Sequence, residues 1–84
     1  MRRSDVFALV DAERERQRTK WMRPHDWGYG DCSCEQVPAP VKAAVLAEEC
    51  GEVARAVLDK DPAHLQAELV QVAAVAVAWL EAFS

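Results

Sequence analysis

Four carboxylates, Glu48, Glu49, Glu52 and Glu68, and the amide of Gln71 interrupt segments that are otherwise apolar. Glu49 and Glu52 stand three residues apart, as do Glu68 and Gln71, so each pair leaves one face of a helix within a single turn. The sequence Asp59-Lys60-Asp61-Pro62 between them reads as a tight reversal. If two helices fold back antiparallel about Lys60, Glu52 stands level with Glu68 and Glu49 level with Gln71. Packed helix axes lie ~8–10 Å apart, a gap that two such side chains can span with an ion between them. Glu48, about 100° round from Glu49, flanks the group.

Carboxylates pressed together repel one another and take up protons at a cost in stability, so something positive is expected among them. An all-oxygen donor set suits a hard cation, Mg²⁺ or else Mn²⁺. The plain alternative is a set of exposed helix glutamates. Against it, Glu52, Glu68 and Gln71 share a stripe with Val45, Val72 and Val75, where a solvated face would not lie.

The elements that hold these residues are expected to be all-α. A first helix runs from about 4 to 20, opened by Ser4-Asp5 and ending in the charged stretch ERERQR, whose second half reads as a solvated face. Residues 21–39, broken by prolines, Gly28 and Gly30, read as a long loop. A second helix spans about 40–59 with Pro40 at its first position. A third spans about 62–83, opened by Asp61 and Pro62 and apolar nearly all round. The hairpin of the second and third helices, with the first beside it, makes one domain of 84 residues. A core that small is marginal without a metal or a second subunit, and an all-round apolar helix needs neighbours on every side. Assembly into a helical bundle, as a homodimer or homotetramer, is therefore expected.

Charge narrows the partners. Residues 1–40 balance seven basic against seven acidic side chains, whereas residues 41–84 hold three against seven and carry the whole net charge of −4. That is a poor footprint for nucleic acid and a good one for a divalent cation. The opening Met-Arg-Arg-Ser-Asp has no long apolar run behind it and lacks the plan of a secretory signal. The most apolar run, Leu69–Leu80, is short for a membrane helix and is interrupted by Gln71. The expectation is a cytoplasmic protein with no membrane partner and, with an odd count of three cysteines, reduced thiols.

EECGE at 48–52, followed sixteen residues later by ELVQ at 68–71, resembles the E-E-x-x-E … E-x-x-D signature of the all-α nucleoside triphosphate pyrophosphohydrolases, the MazG-like superfamily. ERERQRTKW upstream and ELVQVAAVAVAW downstream are similar to the short MazG-like proteins common in phage and actinobacterial genomes. The resemblance covers the first helix and residues 41–83. It implies Mg²⁺-dependent hydrolysis of a nucleoside triphosphate to monophosphate and pyrophosphate by a bundle-forming dimer or dimer of dimers. Glu49, Glu52 and Glu68 match the metal-binding carboxylates, and Glu48 the flanking one that holds a further ion or orients the attacking water. Gln71 stands where the family has aspartate; it offers a neutral carbonyl oxygen but withdraws one charge. The family plan continues with a further helix, so a minimal version is expected. A catalytically weak or inactive helical oligomerisation or partner-binding module is the alternative that Gln71 favours.

Lys20 and Trp21 match a family-like KW pair, implying phosphate contact and base stacking, with an aromatic lid over the core as the other reading of Trp21. Arg55, one turn beyond Glu52, can reach the carboxylates or a phosphate, or pair with Asp59 at i+4. Three further residues read as bland: His64 as a first-turn surface residue, Cys50 as a small buried one, and Cys32-x-Cys34 with His25 as loop groups at a spacing unlike the usual zinc pattern.

Overall fold

The reversal at Lys60 and the prolines on either side of the second helix set most of the architecture. The computed structural model describes residues 1–83: α1 (Arg3–Trp21), β1 (Pro24–His25), β2 (Gly28–Tyr29), α2 (Ala39–Leu58) and α3 (Pro62–Glu81). Pro40 lies in the first turn of α2, where its missing N–H costs nothing. Pro62 opens α3, and Asp61 caps it by accepting the His64 backbone N–H through Oδ1 at 3.1 Å. Lys60, at φ 54°, makes the left-handed step that turns α2 into α3. The start of α1 differs from expectation: Arg2 is the cap residue, and Asp5 accepts the Arg2 N–H at 3.2 Å.

The 21–39 segment is not featureless. It contains a minimal antiparallel ladder pairing Pro24 with Tyr29 and His25 with Gly28. Gly30, at φ 107°, follows the hairpin with its N–H donated to the Arg23 carbonyl at 3.1 Å. A Cβ built there would run into the Cys34 Sγ. Gly30→Ala is therefore expected to cost about 2 kcal/mol from positive φ and crowding together, read as a lower denaturant midpoint with helical circular dichroism retained.

Both α1 and α2 pack on α3, and among the described residues they do not pack on each other. The α3 helix is thus the central support. By length and composition alone α3 passes for a membrane span, an 18-residue window of it averaging a hydropathy of 1.4, although any such window also contains His64, Glu68 and Gln71. In the fold α3 is the helix on which both others lean, yet much of it stays bare in a single chain.

The buried apolar residues are mostly small, Val10, Val37, Ala56, Ala74, Val75 and Ala78 among them, while Phe7, Leu58, Leu69, Leu80 and Phe83 stand exposed. Two sequence expectations are corrected here. Cys50 is exposed, because the packed stripe of α2 runs through Val45, Glu49, Val53 and Ala56 and passes it by. The second half of α1 is not wholly solvated: Arg14 is 5% exposed and Gln17 8%, which continue the Val10 stripe at helical spacing toward Trp21.

Arg14 ties three segments together. Its Nε and one terminal nitrogen donate to the two oxygens of Glu81 at 2.9 and 3.1 Å, and the other terminal nitrogen donates to Asp31 Oδ2 at 3.3 Å. This fork joins α1 to the end of α3 and to the loop.

Candidate functional site

Because α1 and α2 diverge over α3, a cleft of about 540 Å³ opens between them. Its floor is Gln71, Val75 and Ala78 of α3; Arg16, Gln17, Lys20 and Trp21 come from α1, and Glu48 and Glu49 from α2. The loop contributes Trp27 and Cys32. Five residues singled out in the sequence, Lys20, Trp21, Glu48, Glu49 and Gln71, therefore line one cavity. Arg55 does not: it lies on the exposed side of α2, its Nε 3.6 Å from Asp59 Oδ2. Asp59, the residue that ends α2, is its i+4 neighbour there.

Glu68 is the most enclosed of the four glutamates singled out in the hairpin, at 7% exposure. Glu52 offers an oxygen within 4.8 Å of one from Glu68, and Glu49 lies near enough for the Glu68 charge to act on it. Glu52 and Glu68 do come together across the hairpin, and Glu49 and Gln71 line the same cleft. Side chains of packed helices interdigitate, so one residue of α3 is approached by two that lie a turn apart on α2. Neither Glu52 nor Glu68 lines the cleft; Glu49 does and links the two regions.

Burial first, and then the charges of Glu68, Glu48 and Glu52, push the Glu49 carboxyl above its ordinary range. Glu49 Oε2 and Glu68 Oε2 are both buried and have no hydrogen-bond partner among the described residues. Buried carboxylate oxygens are costly to leave unpaired, and two carboxylates cannot donate to each other unless one is protonated. A cation bound among them would offset that cost. The oxygen donors present fit such an ion.

His64 was expected at the surface. It is in the first turn of α3, but half-buried, with Nε2 3.0 Å from Glu68 Oε1. A lone histidine carries no sequence signal for this; only the i+4 relation to Glu68 could have given it.

No family model, curated protein or solved structure matches this chain.

The aromatic residues form a run beside the cleft. The His25 ring stacks on Trp27 at 4.5 Å and 6°, and lies 5.4 Å from Trp21. Lys20 Nζ and the Arg23 guanidinium sit 5.1 and 5.5 Å from the centre of the Trp21 ring. His25 is engaged through Nε2 with the Trp21 carbonyl at 3.0 Å. Cys34 Sγ lies 3.7 Å from Met22 Sδ, and burial pushes the Cys32 thiol up. His25, Cys32 and Cys34 do not gather into a ligand set among the described residues. Arg16, Gln17 and Trp27 are cleft residues that the sequence reading passed over. The 10, 14, 17, 21 spacing on α1 could have found Gln17, had polar types been admitted to a packed stripe.

Proposed function

We propose that this chain is a divalent-cation-dependent nucleotide pyrophosphohydrolase, converting a nucleoside triphosphate and water to the monophosphate and pyrophosphate. The observation that carries the reading is the pair of orphaned buried oxygens on Glu49 and Glu68, with Glu49 lining a cleft walled by Trp21, Trp27, Lys20 and Arg16. The carboxylate spacing resembling the MazG-like motif supports it. Glu49, Glu52 and Glu68 would hold Mg²⁺ or Mn²⁺, with the Gln71 carbonyl oxygen available nearby.

When bound, the cation supplies neutralisation of the phosphate charge as pyrophosphate departs. The protein's own groups do the rest. Glu48, which lines the cleft beside Glu49, orients a water and accepts its proton. That water's oxygen bonds to the α-phosphorus, and the bond from this phosphorus to the bridging oxygen breaks, with the electron pair leaving on pyrophosphate. Lys20 contacts the phosphates, Arg16 joins it on release from its fork with Glu13, and the rings of Trp21 and Trp27 present faces for a base. Arg55, paired with Asp59, is left without a part in substrate binding.

The large apolar side chains left bare on the single chain support self-association as a homodimer or homotetramer. A cytoplasmic enzyme acting on small nucleotides, without a nucleic-acid or membrane partner, is consistent with the charge pattern. The second reading, an inactive helical oligomerisation module, is favoured by Gln71 in place of aspartate together with those bare residues. Pyrophosphate release from a panel of canonical and modified nucleoside triphosphates separates the two. Release that requires Mg²⁺ and stops with a chelator is expected; no release from any nucleotide, with self-association retained, establishes the module.

A further inference from the structure

Glu52, His64 and Glu68 each offer one ligand atom, and the three atoms lie within 4.8 Å of one another. We infer that they form a site for a first-row transition ion, Mn²⁺ or a similar divalent metal, which His64 selects over Mg²⁺. The inference builds on the cation reading above, sharing Glu52 and Glu68 with it, but does not need hydrolysis.

The fold positions the set from both arms of the hairpin. His64 and Glu68 are one turn apart on α3, and Glu52 reaches across from α2. The Asp61 cap fixes the backbone of His64. Two neighbouring donors on an octahedral ion with bonds of ~2.1 Å stand ~3.0 Å apart, and His64 Nε2 stands 3.0 Å from Glu68 Oε1. An ordinary i+4 histidine–glutamate pair has the same separation, so the distance alone decides nothing.

Two further observations do. Glu68 is more than nine-tenths buried, and its Oε2 has no partner among the described residues. A surface pair would leave that oxygen in water. Glu52 then adds another carboxylate from a second helix, the charges of Glu49 and Glu68 act on one another as well, and one imidazole cannot offset them. The chemistry of the donors sets the choice of metal. Carboxylate oxygens alone suit Mg²⁺, whereas an imidazole nitrogen favours first-row transition ions. None of the three residues lines the cleft, and the exposure of Glu52 and partial exposure of His64 give an ion access from solvent, with water completing its coordination.

Calorimetry of the full chain with Mn²⁺, Co²⁺ and Mg²⁺ tests the inference. Mn²⁺ and Co²⁺ are expected to bind about tenfold or more tightly than Mg²⁺. His64→Ala and the more conservative His64→Gln should both erase that preference and leave Mg²⁺ affinity unchanged. In the unsubstituted protein, substoichiometric Mn²⁺ should broaden the imidazole proton resonances of His64 well before those of His25, a readout that needs no variant to fold. Unchanged Mn²⁺ and Co²⁺ affinity in both variants, or equal broadening of the two histidines, overturns the inference and leaves a plain helix ion pair. Imidazole ligation without pyrophosphate release refutes the hydrolase and spares this site; Mg²⁺-dependent release with His64 indifferent to every metal does the reverse.

Discussion

Arg14→Ala lowers the stability of the fold by about 3–5 kcal/mol. The guanidinium is buried and makes three hydrogen bonds, two to Glu81 and one to Asp31. Removing it leaves the Asp31 carboxylate, itself 7% exposed, with its Ser33 bonds and no counter-charge. A domain of this size has a total stability on the order of 5–10 kcal/mol, so much of the population unfolds on mild warming. The loss depends on pH in a defined direction. Burial raises the Asp31 carboxyl, but the Ser33 hydrogen bonds and the Arg14 charge outweigh it and hold it below the ordinary range. The hydrogen bonds from Arg14 do the same for Glu81. Groups depressed in the folded state contribute stability above their unfolded values and lose it as pH falls through the folded ones. The gap between native and variant midpoints should be widest near neutrality and close in acid. Urea titrations at several pH values read it, and a gap independent of pH would show that Arg14 acts by packing alone. Asp31→Asn combined with Arg14→Met, which removes both charges, should recover part of the loss.

The position of Arg14 also shows where the sequence ceases to be readable. Three helices and a reversal at residue 60 were legible because prolines, caps and apolar spacing all act locally. The α1 stripe was hidden because Arg14 and Gln17 occupy it; a polar side chain counts as solvated until its partner on a distant segment is known, and Glu81 is 67 residues away. The ladder in the loop is too short for periodicity to register, although Gly28 and Gly30 marked its turn. At the site, the spacing brought Glu52 and Glu68 together across the hairpin, but it did not give the packing around them. Whether Glu68 faces Glu52 or lies between Glu49 and Glu52 depends on how side chains interdigitate across the hairpin, a tertiary property. His64 was missed for the same reason. Its type says only that it could ligate or bond; the neighbour one turn along, buried by the other helix, supplies the rest.

Glu49→Gln should stop pyrophosphate release while making the cation-free protein more stable, a combination that a merely structural glutamate would not give. Its carboxyl lines the cleft, lies in reach of Glu68 and leaves Oε2 buried without a partner among the described residues. The amide introduced by the substitution removes one of two crowded charges and brings an N–H in among orphaned carboxylate oxygens. A gain of about 1–2 kcal/mol at neutral pH follows for the cation-free chain. The sign can be checked by titration. A carboxyl raised in the folded state, as Glu49 is by burial and by Glu68, contributes stability at low pH that is lost as pH rises through its folded value. The advantage of the variant should therefore be small in acid and grow toward neutrality, opposite in direction to the acid-sensitive contribution of Asp31. Adding Mg²⁺ reverses the order: at a hundred times its dissociation constant a cation bound only to the folded state contributes about 2.7 kcal/mol, available to the native protein and largely lost in the variant. Activity should fall by about 10²–10³-fold, the scale on which loss of a group stabilising transition-state charge is felt. Thermal melts of both proteins with and without Mg²⁺ from pH 5 to 8, paired with pyrophosphate assays, measure every part of this. Release that persists in the variant, or a native protein indifferent to Mg²⁺ at neutral pH, would remove Glu49 from the cation site and the site from the proposed chemistry.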